Sequence, residues 1–246
     1  MWLRYCAPVL GQMNVGAVTS AHILKIIDPM VARGHLPNAN RYIKLLSAWW
    51  NWSALRFPAM PRNPTTGIEL LPEEPLELSM SVEQMKVFGT AYTACQHPAK
   101  WSLLWLLLTG SRCGILQVLR PEWIEDGHVI FPKRTPGTKN ARHVIMGSVA
   151  LAMLQEHGCH VTDQKMREAL DEVEALCGYR LTPHSLRKSY TSLAELELGV
   201  PRALIDQIVN HSMTKLHAAY YKQAVLTLAP FAATIEAGML RLAGLQ

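Results

Sequence analysis

Hydrophobic positions along this chain recur mostly at three- and four-residue spacing, the pattern of helices that turn one face to a core. Ile23, Ile26, Ile27 and Met30 form one such stripe, with Thr19 or Ser20 placed to cap it, Gly34 to end it and Pro29 to kink it. Tyr42, Leu45, Leu46, Trp49, Trp50 and Ser53 form a second and predict a helix over about 38–57. The periodicity then fades. Pro58, Pro61, Pro64, Pro72 and Pro75 read as an extended, semi-rigid connector. The pattern predicts a helical domain over 1–75, with the connector at 58–75, and a second domain over 76–246.

Helical spacing resumes where Ser81 and Gln84 fit a capping box, with Met80 and Met85 flanking it as a hydrophobic staple. The stretch 99–108 is apolar on nearly every side, which predicts a buried helix; it ends in Thr109-Gly110-Ser111-Arg112. From Trp123 to Gly147 the period shifts towards strands, over 128–132 and 143–146, with turns at Glu125-Asp126-Gly127 and at 137–140. The remainder is helical: 148–157, 162–177, 183–198, a helix begun by Pro201, and a last apolar helix over about 229–242. The predicted class is mainly α with a small antiparallel β-hairpin or sheet.

Charge narrows the partners. Among 246 residues, 24 Lys and Arg against 19 Asp and Glu leave a net charge of +5, which favours a polyanion. Five cysteines, an odd number without a Cys-x-x-Cys pair, fit a reduced cytoplasmic chain better than a disulfide scaffold. His157-Gly158-Cys159-His160 has metal-ligating residue types, but Gly158 reads as a helix C-cap that sets the spacing; no metal and no cofactor is expected. The longest apolar run, Trp101–Thr109, falls well short of the roughly 18 residues of a membrane span, and the N-terminus lacks a signal-peptide pattern, so no membrane partner is expected.

The densest chemistry lies between Thr182 and Tyr221. Thr182 is a good N-cap and Pro183 suits the first helical position, which puts His184 and Arg187 on one side of the first turn. Free backbone N–H groups and the positive dipole end would join them in an anion site, with phosphate the favoured anion. His211 and Tyr220, nine residues apart, add a second acid/base group and a hydroxyl nucleophile. These are the parts of phosphoryl transfer through a tyrosine ester. Arg112 leaves a buried helix with no carboxylate nearby in sequence; a bound phosphate or a distant carboxylate would answer that need. Lys133, Arg134, Lys139, Arg142 and His143 cluster on the predicted hairpin, and Arg41, Lys44 and Arg56 lie along the second helix; each set suits a phosphate backbone or a solvated face.

In this order the motifs Thr109-Gly110-Ser111-Arg112, Thr138-Lys139, Pro183-His184-Ser185-Leu186-Arg187, Val209-Asn210-His211 and Tyr220 resemble those of the tyrosine recombinase (phage integrase) family. The resemblance covers about 80–225 closely and 19–64 more loosely. It implies a helical core-binding domain, a tyrosine-recombinase catalytic domain and no separate arm-binding domain. It implies that Tyr220 attacks a phosphodiester of double-stranded DNA to give a 3′-phosphotyrosyl link, without metal or cofactor. Arg112, Arg187 and His211 would hold the phosphate, His184 would handle the tyrosine proton, and Lys139 would protonate the leaving 5′-oxygen. Arg41, Lys44, Lys133, Arg134 and Arg142 would contact DNA. The protein would be a monomer free in solution and a homotetramer on DNA. Tyr221 is the alternative nucleophile. Two positions depart from the family's pattern: Ile115 stands where a carboxylate is usual, and His217 where threonine is frequent. Two further readings are a DNA-binding protein of this fold with weakened chemistry and a type IB topoisomerase-like enzyme.

Overall fold

The computed structural model describes residues 2–73, 79–132, 135, 142–211 and 221–246, with backbone alone for 221–224. The chain divides into two compact units, Met1–Leu76 and Glu77–Gln246.

The first unit is helical. A π-helical turn over Trp2–Cys6 runs into α1 (Ala7–Leu10), which the sequence pattern did not predict; four residues are too few for a periodicity to show. Helices α2 (Ser20–Val31) and α3 (Leu36–Ala54) follow. α2 begins at a capping box in which the His22 ring, in place of a carboxylate, answers the Thr19 backbone N–H at 3.1 Å. Ile23, Ile26, Ile27 and Met30 of α2 pack with Tyr42, Ile43, Leu46 and Trp50 of α3. The α3 stripe is narrower than predicted. Leu45 and Trp49 are about half exposed and, with Trp2, border an apolar groove of about 370 Å³.

The proline-rich stretch is not an extended connector through 73. Its missing N–H groups leave carbonyls that side chains of the helices take up. Trp50 Nε1 donates to the Pro61 carbonyl at 2.8 Å and Ser20 Oγ to that of Pro64 at 2.7 Å. The buried Asn40 amide donates to the Leu71 carbonyl and accepts from the Leu71 N–H, both at 2.8 Å, as a strand partner would. Met60, Ile68 and Leu71 then pack on the unit's core.

The second unit is built around α5 (Trp101–Thr109), every residue of which is buried. α5 packs against α6 (Ser148–His157), α7 (Asp163–Cys177), α8 (Pro183–Leu196) and α10 (Tyr221–Ala243), while α4 (Val82–Ala94) packs on α7 and α10, and α9 (Arg202–Ile208) on α8 and α10. Ser81 and Gln84 form the expected capping box on α4, and Met80 and Met85 are both buried in the core. β1 (Ile124–Glu125), β2 (His128–Ile130) and β3 (His143–Ile145) make an antiparallel sheet in sequence order. β1, two residues long, escaped the periodicity. It joins β2 through Asp126 and Gly127, both at positive φ, the signature of a tight hairpin turn.

α10 starts eight residues before the predicted 229, and Pro230 sits inside it. Its 225–243 stretch has the length and mean hydropathy (1.4) of a membrane span. Here Val225, Leu228, Ala232, Ile235 and Met239 enter the unit's core instead. Glu236 locks the helix in place. Its buried carboxylate accepts from the N–H groups of Val149 at 3.0 Å and Ala150 at 2.8 Å, capping α6 from a distance of 86 residues. A Cβ on Gly147 would collide with that carboxylate.

Candidate active site

α8 begins as the sequence predicts. Thr182 Oγ1 accepts from the Ser185 N–H at 2.9 Å, and Ser185 Oγ answers the Thr182 N–H at 2.8 Å. This cap corrects one expectation. Pro183 has no N–H and Ser185's is already bonded, so the helix start does not offer a row of free donors. Anion binding at this end falls to side chains.

Those side chains divide by depth. His184 is exposed, whereas Arg187, one turn on, is only 4% exposed. Burial of a guanidinium requires acceptors, and backbone supplies them. Arg187 Nη1 donates to the Gly110 carbonyl and Nη2 to the Val209 carbonyl at 2.6 Å. Gly110 ends α5 in the left-handed conformation, φ 60°, with Tyr190 of α8 so close that a Cβ would lie 2.5 Å from its ring. The glycine and the arginine thus fit each other: the turn must be left-handed and bare for its carbonyl to reach Arg187.

Arg112, two residues past that turn, borders one small concavity with Arg187, His143 and Asn210. Ile115 stands where the family's pattern has a carboxylate, and the described residues supply no substitute. Ile115 is buried in the core, and among the described residues Arg112 makes no hydrogen bond or ion pair. Its charge is felt nonetheless. Burial first, and Arg112 second, push the Arg187 guanidinium down to about 10. Burial, then Lys188, Arg187, Arg112 and His211, lowers the pKa of His184.

His211 follows the left-handed Asn210, φ 57°. Its N–H donates to the Asp206 carbonyl at 2.8 Å, and its Nδ1 lies 3.1 Å from the Asp206 carboxylate. Asp206 also accepts from Arg202 at 3.0 Å. The His211 pKa is lowered, with burial and the two arginines outweighing the lift from Asp206. The hydrogen bond to Asp206 fixes the ring by its Nδ1 edge and leaves Nε2 for a ligand.

The structure therefore brings together Arg112, His184, Arg187 and His211. Lys133, Arg134, Lys139 and Tyr220 lie outside the described residues, as does His217. Arg142 is exposed and its backbone N–H is bonded to Asn210; Arg41 and Lys44 are exposed on α3 of the other unit. Asp206, the hydrogen bonds of the Asn210 side chain and the carbonyls of Gly110 and Val209 were not singled out from sequence. Asp206 and His211 are five apart on a short helix and its exit, which no helical-face rule pairs. Among the described residues no cluster of three metal-ligating side chains occurs, and the His157 ring stacks on Trp101 at 5.4 Å.

No protein-family model and no curated protein matches the sequence. Solved structures do, and they define the fold as that of the tyrosine recombinase catalytic domain. A lambda integrase (75–356) dimer bound to a COC′ core site matches with a TM-score of 0.68 at 12% identity, over 87% of this chain and 86% of that one. A lambda integrase tetramer bound to a Holliday junction matches at 0.67 and 12% identity, over 87% of this chain and 70% of that one. The Tn1549 transposon integrase in complex with circular intermediate DNA matches at 0.62 and 17% identity, over 86% and 83%.

Proposed function

We propose that this protein is a site-specific DNA recombinase or integrase that cleaves and rejoins duplex DNA through a 3′-phosphotyrosyl intermediate. The observation that carries the reading is the pairing of Arg112 and Arg187 on one concavity, flanked by His184 and His211, in an integrase fold. Two cations facing each other without a carboxylate between them are costly unless an anion joins them. A phosphodiester approaching five-coordination gains negative charge on both non-bridging oxygens, and two forked donors serve them better than one.

In this reading Tyr220 is the nucleophile. A free phenol ionises near pH 10, so it needs a base. His184, its pKa lowered by partial burial first and by its cationic neighbours second, takes its proton. His211 is turned by Asp206 so that Nε2 faces the phosphate; the anion's arrival favours the imidazolium, which then donates. Lys139 protonates the departing 5′-oxygen. The bond energy stays in the phosphotyrosyl ester, so religation needs neither ATP nor metal. Arg41, Lys44, Lys133, Arg134 and Arg142 hold the DNA backbone, which makes affinity fall with salt. The active assembly is a homotetramer on two duplexes, formed from monomers of a cytoplasmic protein.

The test uses a supercoiled plasmid carrying the DNA that borders the gene, with covalent adducts trapped by detergent. Wild type and Tyr221→Phe should give adducts. Tyr220→Phe should give none while binding DNA within about threefold, since only a hydroxyl is lost. Adducts from Tyr220→Phe but not from Tyr221→Phe would move the nucleophile to Tyr221. Binding without any adduct from wild type would leave a DNA-binding protein of this fold, and relaxation without strand exchange a topoisomerase-like enzyme.

A further inference from the structure

α8 turns two cations in different directions. Arg187 is buried and borders the concavity it shares with Arg112. Lys188 is the next residue, and successive residues of an α-helix are rotated by about 100° around its axis. Lys188 is accordingly exposed and does not border that concavity. It stands four residues from His184, which is exposed too, so the pair lies one turn apart on the outer edge of α8. The imidazole registers this neighbour. After burial, Lys188 is the largest cause of the lowered His184 pKa, ahead of Arg187, Arg112 and His211. Among the described residues the Lys188 ammonium makes no hydrogen bond or ion pair. The one acidic residue of α8, Glu195, is already paired with Arg202 at 3.1 Å. The outer edge of α8 beside the site therefore carries positive charge that no carboxylate of its own helix offsets.

We propose that Lys188 seats a second DNA phosphate, beside the one that Arg112 and Arg187 hold. The inference rests on the reading of those two arginines as a phosphate clamp. One strand of a duplex carries a phosphate for about every 3.4 Å of helix axis. From His184 to Lys188 the rise along α8 is about 6 Å. The ammonium, on its flexible four-carbon stem, thus reaches a neighbouring phosphate, while its direction keeps it away from the phosphate in the concavity. A lysine suits that place. The neighbouring phosphate keeps all its bonds, so a mobile point charge serves it and no rigid fork is required. Because the Lys188 side chain bonds to nothing in the protein, its effect falls on the DNA and not on the fold.

The test compares Lys188→Ala in the full chain with Lys86→Ala, which removes an exposed lysine of α4. Affinity for a duplex of the DNA that borders the gene is measured over a range of salt concentrations. Loss of one phosphate contact should make the slope of log affinity against log salt shallower by about 0.9. Lys86→Ala should keep the wild-type slope. A wild-type slope in Lys188→Ala overturns the contact, and an equal change in both variants reduces it to general charge and overturns it too. Titration of His184 by NMR is a second readout and needs no DNA. Loss of a neighbouring cation favours the imidazolium, so His184 should titrate at higher pH in Lys188→Ala and as in wild type in Lys86→Ala. An unmoved His184 in Lys188→Ala overturns the placement on which the proposal stands. If wild type does not bind the duplex, the recombinase reading fails and the contact with it. If the slopes differ as expected but wild type forms no covalent adduct, the contact stands and only the catalytic reading fails.

Discussion

Arg112 and Arg187 border the same concavity, and the protein holds them by opposite means. Arg187 is buried, and two backbone carbonyls, from the end of α5 and the exit of α9, take its guanidinium. Arg112 is partly exposed, at the start of a 3₁₀ turn over Cys113–Gln117, with no acceptor among the described residues. One arginine is therefore part of the frame, joining three segments of chain whether or not a ligand is present. The other is the one that the proposed function assigns to a ligand. The lowered Arg187 pKa records the repulsion between them together with the burial. Among the described residues neither makes an ion pair with a carboxylate, and the nearby Asp206 only partly offsets their charge, so the frame keeps positive charge where a phosphate would sit, preorganised on one side only.

The widest separation between the two comes from truncating each. Arg187→Ala leaves the buried carbonyls of Gly110 and Val209 without donors, at about 1–3 kcal/mol for each. Melting followed by calorimetry should show a drop of several degrees in the second unit, and adducts should vanish. An unchanged melting temperature would mean that water replaces the guanidinium and that Arg187 is not part of the frame. Arg112→Ala removes no bond and relieves a repulsion, so the melting temperature should hold or rise slightly. Adduct formation should still fall about 100- to 1,000-fold, the usual loss for one donor to a developing oxyanion. A melting loss matching that of Arg187→Ala would erase the contrast, and undiminished adducts would remove Arg112 from the site.

The same contrast explains what could be read from the sequence. Helix caps, glycine stops and the three-residue spacing of His184 and Arg187 are local, and they appear where expected: Ser81 with Gln84, Gly158, Gly178, and Thr182 before Pro183. That Arg112 and Arg187, 75 residues apart (187 − 112), share a concavity came from resemblance, since no local rule joins them. What stayed hidden is backbone-mediated. The carbonyls of Gly110 and Val209 have no letter in a sequence, and Asn210, though part of a motif, shows no structural role until its φ and its side-chain hydrogen bonds are seen. The proline-rich stretch misled for a related reason. Proline composition predicts an extended chain, but Asn40, Trp50 and Ser20 supply the hydrogen bonds that fold residues 61–71 back onto the first unit.

The smallest expected effect tests what shapes the frame around Arg187. Tyr190 is fully buried, and its ring fits against the bare Cα of Gly110, while its hydroxyl has no hydrogen-bond partner among the described residues. Burial first, and Glu236 second, hold its pKa above the usual phenol range, so the hydroxyl stays neutral at any ordinary pH. The ring, and not the hydroxyl, therefore sets the turn whose carbonyl receives Arg187. Tyr190→Phe keeps the ring and removes a buried polar group that gains nothing, so stability should stay level or rise by up to about 1 kcal/mol. Adduct formation should match wild type. Tyr190→Leu, which removes the ring, should lower both. A loss of more than about 1 kcal/mol in Tyr190→Phe would reveal a bonded partner for the hydroxyl, a buried water being the first to look for. The frame around Arg187 would then be polar as well as steric.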